Sequence, residues 1–235
     1  MKTLEMTTRT TETSPLLRAR VAGVLYLSLV PLSLFGILYS GPSRLGIVSA
    51  LLVQIVNILV VLALYQLLKP VNKNMAALMV IFLLLGVPIA MLNELNQFAV
   101  LLLSSGADSL RVFTPGQVHA LVSLFLNLHN DGITIAGIFW GLWLFPMGYL
   151  VFKSGFLPRI LGILLMIGCV GYLIQSFAAL LLPNLNVNIA LLTFWGEVLF
   201  PLWLVIKGVN VEQWEKRARI SALNNPSIVI HNGGD

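Results

Sequence analysis

Six times along this 235-residue chain an apolar run of about 20 residues or more recurs, each long enough as an α-helix to cross a hydrocarbon core roughly 30 Å thick. The runs fall at about 20–39, 46–68, 75–103, 118–152, 159–182 and 188–208. A bilayer offers no water to bond backbone amides, so runs of this kind must be helices that satisfy their own hydrogen bonds. The sequence therefore predicts an all-α, polytopic membrane protein, a six-transmembrane-helix bundle. With 58% hydrophobic residues, 10% charged residues and a mean hydropathy of +0.93, the chain has too little polar surface to coat a soluble domain.

The formal net charge of +5 and the pI near 9.6 would suggest nucleic acid in a soluble protein. Here the basic residues stand at the ends of the apolar runs, and no nucleic-acid partner is expected. The joints LLKPVNKN (67–74), SSGADSLRVFTPGQ (104–117), KSGFLPR (153–159) and PNLNV (183–187) are punctuated by Pro, Gly and Asn. With a cytoplasmic N-terminus, Lys2, Arg9, Arg18, Arg20, Lys69, Lys73, Lys153, Arg159, Lys207, Lys216, Arg217 and Arg219 all fall inside. Of the 14 basic residues, only Arg44 and Arg111 then fall outside. That asymmetry predicts a multi-pass protein of the cell inner membrane with both termini in the cytoplasm.

Residues 1–17 are polar and Thr-rich and are expected to be disordered. The first apolar run exceeds the roughly 7–15 residues of a cleavable signal core, so it is expected to be retained as a helix. Residues 18–208 form the expected membrane domain. In VNVEQWEKRARI (209–220), Val211, Trp214 and Ala218 share one helical face, predicting an amphipathic interfacial helix with its Trp and basic side among anionic headgroups. Residues 221–235 read as a disordered tail. Cys169 stands alone inside an apolar run, which leaves no disulfide framework or zinc spacing and makes it a packing residue. The fourth run is too long for one crossing. It is expected either to project outward or to break near Asn130-Asp131-Gly132.

Ionisable side chains within hydrocarbon are expensive unless paired or hydrated, so each one is a candidate site. Glu94, His129, Asp131 and Glu197 are such residues, accompanied by Gln54, Asn57, Asn93, Asn96, Gln97, Asn127, Asn130 and Gln175. In the expected topology they all lie in the outer half or near the centre, which predicts a polar cavity open to the outside. Gly86, Ala90, Asn93 and Gln97 share a face of the third run, with Glu94 at its edge. Ser123, Asn127, Asn130, Thr134 and Gly141 form a stripe on the fourth, Gly168, Gly171 and Gln175 on the fifth, and Ala190, Thr193, Glu197 and Pro201 on the sixth. Such stripes also serve simply to hold helices together. On an unbroken helix His129 points away from the Asn127/Asn130/Thr134 stripe and joins the polar set only if Gly132 breaks the helix. The expected ligand-binding set is Gln54, Asn57, Asn93, Glu94, Gln97, His129, Asn130, Gln175 and Glu197. No metal-ligand spacing, phosphate loop or nucleophile elbow is present, and no cofactor is expected.

LLKPVNKN (67–74), LFLNLHN (124–130) and GLWLFPMGYLVFKSGFLPRILGILL (141–165) resemble an uncharacterised bacterial membrane-protein family, domain of unknown function 4386 (DUF4386). The likeness runs from about residue 18 to 208. It implies a polytopic bacterial inner-membrane protein and carries no activity with it. The family pattern has a longer outer loop between the first two spans than Tyr39–Gly46 provides here, and it includes His129 and Asn130 but not typically Asp131.

Three functions remain in competition. The favoured one binds, and in one version transports, a small molecule or lipid in the outer polar cavity. The second is an intramembrane enzyme, lipid-modifying or metal-dependent, using His129 with Asp131, Glu94 or Glu197. The third is a structural or partner-binding protein. The bilayer is the evident partner, and an oligomer is compatible with all three.

Overall fold

The computed structural model describes residues 14–38, 43–106, 110, 112–182, 189 and 193–223, and every regular element in it is helical. These elements are α1 (Pro15–Leu38), α2 (Arg44–Leu68), α3 (Lys73–Leu103), α4 (Pro115–Leu142), α5 (Leu144–Ser154), α6 (Arg159–Leu181), α7 (Trp195–Ile206) and α8 (Val211–Leu223). Their starts are written in the joints. The Ser43 hydroxyl accepts the Gly46 N–H at 3.1 Å to open α2, and the Asn72 side-chain carbonyl accepts the Met75 N–H at 3.0 Å to open α3. Thr114 and Gln117 form a reciprocal capping box at α4, with Pro115 in the first turn, where its missing N–H has no role.

Residues Pro115–Ser154 run on as one 40-residue rod with a junction at Trp143, where α4 passes into α5. Pro146 supplies the reason: it has no N–H for the carbonyl four residues back, Leu142. The Trp143 N–H meets the carbonyls of both Gly141 and Phe139, a tightened last turn. The expected break near Gly132 is therefore absent, and α4 is continuous there.

The bundle closes on itself. α1 packs on α2, α2 on α3, α3 on α4, the α4–α5 rod on α6, α6 on α7, and α7 back on α1. At the end that carries the α2–α3 joint the interior is solid, with Leu64, Leu67, Leu68, Met79, Leu83, Leu144, Met147, Leu150, Leu165, Phe200 and Leu204 buried. The exterior is also apolar: Ile160, Ile163, Ile167, Val170, Ile174, Phe177 and Leu181 form one exposed stripe along α6. Apolar both inside and out, the chain is a helical membrane bundle.

Five helices are long and apolar enough to cross a bilayer. The sixth expected run is represented by the 12-residue α7, and most of 183–194 lies outside the described residues. The chain nonetheless returns to the end from which α1 starts, because α8 docks there. The Trp214 indole N–H donates to the Leu67 carbonyl at 2.9 Å, satisfying one of the orphan carbonyls of the last turn of α2. Arg217 donates to the Lys153 carbonyl at 2.9 Å, the Asn210 N–H donates to the Phe156 carbonyl at 3.1 Å, and the Arg18 guanidinium lies 5.6 Å from the Trp214 ring centre. Trp214, expected among headgroups, is instead buried as the bolt that fastens α8 to the bundle. Helix also begins at Pro15 and persists to Leu223, shortening both polar tails. Residues 1–13 and 224–235, where disorder is expected, lie outside the described residues.

Candidate functional site

Opposite the solid end, a cavity of about 250 Å³ opens between the second half of α1, the first half of α2, the second half of α3 and the middle of α4. Gln54, Glu94, Gln97 and His129 line it, together with Ser33 and Ser49 and the apolar Leu32, Ile47, Val53 and Ile133. Glu94 and Gln54 are almost fully buried, at 6% and 5% exposure. Among the described residues Glu94 accepts no hydrogen bond and forms no ion pair, and the side-chain oxygens of Gln54 and Gln97 have no partner either.

Asn93 behaves in the opposite way. Its side-chain nitrogen donates to the His129 carbonyl at 2.9 Å and lies 3.1 Å from His129 Nδ1, while its oxygen accepts from Asn96 at 2.9 Å. A backbone carbonyl can only accept, so the Asn93 nitrogen faces α4. His129 Nδ1 stands between the Asn93 side-chain nitrogen at 3.1 Å and the Asn93 backbone carbonyl at 3.5 Å, so Asn93 engages the ring from both sides. The amide packs directly on Gly132, where any Cβ would overlap the Asn93 oxygen. Gly132 is thus a point of close approach between α3 and α4.

His129 faces the cavity on an unbroken α4, against expectation, while Asn127, Asn130 and Asp131 are exposed. The assumption that amides must turn inward fails here because of depth. Asn130 stands 24 residues before Ser154, roughly 36 Å along the rod at 1.5 Å per residue, beyond a core of about 30 Å. With Ser154 at one face of the core, exposed amides at that level are expected to meet water and headgroups. Asn57 is half-buried, and neither it nor Gln175 lines the cavity.

Glu197 does not line it either, so the expected convergence of Glu94 and Glu197 does not occur. Glu197 sits on α7, where the Tyr26 hydroxyl of α1 donates to its Oε2 at 3.1 Å and the Tyr172 hydroxyl of α6 addresses the same carboxylate; its Oε1 has no partner among the described residues. Tyr26 in turn packs its ring 5.8 Å from that of Trp143. This second cluster ties three helices together. Among the described residues no three His, Cys, Asp or Glu side chains gather to hold a metal ion. Of the partners considered for a catalytic His129, only Glu94 shares its cavity.

Several residues of these two polar clusters escaped the sequence reading. Ser33 and Ser49 border the cavity, and the Ser49 hydroxyl donates to the Leu32 carbonyl at 2.7 Å, tying α2 to α1. Tyr26 and Tyr172 complete the Glu197 cluster. A tyrosine deep in an apolar run, with a hydroxyl that needs a partner, was the available signal.

A family model for a domain of unknown function, DUF4386, matches residues 38–208. The chain belongs to the DUF4386 family. Gln54, Glu94, Gln97, His129 and Glu197 of this DUF4386 chain lie within the matched segment, whereas Tyr26 and Ser33 precede it. The chain is also similar to an uncharacterised protein of Archaeoglobus fulgidus, 34% identical over 174 residues that make up 73% of this chain and 89% of that protein. No solved structure matches.

Proposed function

We propose that this is a non-enzymatic binding protein of the cell inner membrane, with both termini cytoplasmic, that holds a small molecule in an outward-facing cavity. One observation carries the reading: the nearly buried Glu94 carboxylate lines the cavity with no partner among the described residues. A polar residue that only glues helices finds a protein partner, as Asn93 does; one kept for a ligand is left wanting. At 250 Å³ the cavity has room for about eight waters of ~30 Å³ each and is smaller than the roughly 300–1,000 Å³ of drug-sized sites. The solid core beyond it favours binding over transport, since a route to the other face would need polar groups there.

The test is a thermal-stability screen of the purified protein in detergent against small amines, alcohols, amides, carboxylates and sugars. At least one class raises the melting temperature, and Ala50→Phe, which fills the cavity, removes the rise. If no class stabilises the wild-type chain, the polar residues only hold helices and the binding reading falls.

A further inference from the structure

We infer that the cavity takes a protonated amine, a short alkyl chain with an ammonium head that donates to the Glu94 carboxylate. The inference rests on the binding reading above and names its ligand class.

Charge decides the sign. Glu94 is the one acidic residue of the described lining, and no Lys or Arg lines the cavity with it. Arg44, next in sequence to the lining Ser43, is exposed and stays outside. His129 also lines the cavity, but its Nδ1 is engaged by Asn93 rather than by Glu94. An anionic ligand would meet an unpaired carboxylate with no Lys or Arg among the lining residues to offset it, an unfavourable pairing of like charges. A cation meets the complement.

Hydrogen bonding narrows the class further. Gln54 and Gln97 also line the cavity, and their amide oxygens are buried without a partner among the described residues. Ser49 has committed its proton to the Leu32 carbonyl and offers only lone pairs. A carboxylate and the Ser49 lone pairs in one cavity suit an ammonium with several N–H donors better than a quaternary nitrogen that has none. Leu32, Ile47, Val53 and Ile133 then cover a short alkyl tail.

An ammonium head reaches such a cavity either on a free amine or on an ethanolamine phospholipid, and both offer the same chemistry. Three probes of one size separate the charge states: n-butylammonium, butan-1-ol and butyrate, each titrated by calorimetry into the wild-type chain and Glu94→Gln. Butylammonium binds, the other two do not, and Glu94→Gln weakens the amine by about ten- to hundredfold. The probe comparison on the wild-type chain stands even if Glu94→Gln fails to fold. Binding of the alcohol or butyrate in place of the amine overturns the inference and leaves the cavity reading intact. Silence from all three overturns it too, and a broad screen that is also silent removes the cavity reading with it. Repeating the titration in phosphatidylglycerol nanodiscs with and without phosphatidylethanolamine assigns the source. A lipid occupant raises the melting temperature and blocks butylammonium, whereas a free-amine site is indifferent to it.

Discussion

Both ends of the Asn93 amide are committed to protein partners, and its position is fixed by a residue with no side chain. At Gly132 a methyl group would occupy the space of the Asn93 oxygen, so Gly132→Ala must push the amide away from His129. The expected loss is about 1–3 kcal/mol, read as a lowered thermal midpoint in detergent. Asn93→Ala alone also destabilises, by losing its hydrogen bonds to α4. The double variant should lose less than the sum, because deleting the amide clears the space the new methyl needs. Strict additivity would mean that the two residues do not touch. At this scale the sequence was informative about residue type and weak about direction. Asn93, Glu94, Gln97, Gln54 and His129 stood out because polarity in an apolar run is expensive. Which of them the structure would bring together depended on helix rotation and depth, and those are set by neighbours. Asn130 and His129 are adjacent in sequence, yet one faces out and the other faces the cavity. Glu197 was grouped with Glu94 by depth alone, although α7 packs chiefly on α1 and α6.

Helix lengths and boundaries were legible from hydropathy and turn residues, and Ser43, Asn72 and Thr114 do cap where polar joints end. The α4–α5 junction was misplaced because an Asn-Asp-Gly cluster looks like a breaker, while Pro146 acts on the carbonyl four residues before it. The α5–α6 contact was invisible as a pair. A Cβ at Gly148 would come within 2.6 Å of the Gly162 carbonyl oxygen, and one at Gly162 within 2.5 Å of the Gly148 carbonyl oxygen. Two backbones in direct contact cannot yield as a flexible side chain can. Gly148→Ala should therefore destabilise by about 1–3 kcal/mol through overpacking. Gly116→Ala, with nothing within 4 Å of the new methyl, should change stability by no more than about 0.5 kcal/mol. Equal midpoints for the two variants would remove the claim that α5 and α6 cross at a glycine pair.

The whole molecule has two unlike ends, and α1 starts and α8 docks at the same one. α1 begins, α2 ends and α5 ends where α8 is bolted down by Trp214 and Arg217, and the solid core fills that end. The cavity lies toward the other, between the second half of α1, the first half of α2, the second half of α3 and the middle of α4. The basic residues concentrate at the α8 end, which is expected to face the cytoplasm. Single cysteines read this directly once Cys169 is replaced by Ala. Ser105→Cys, in the α3–α4 joint, should react with a membrane-impermeant maleimide on intact cells. Arg219→Cys, on the exposed side of α8, should react only after permeabilisation. The reverse pattern would invert the sidedness and turn the cavity toward the cytoplasm. Labelling of both in intact cells would contradict the docking of α8 at the end opposite the α3–α4 joint. Because the cavity and Ser105 share one end and the packed core closes the other, the compartment that labels Ser105→Cys is also the one toward which the cavity opens.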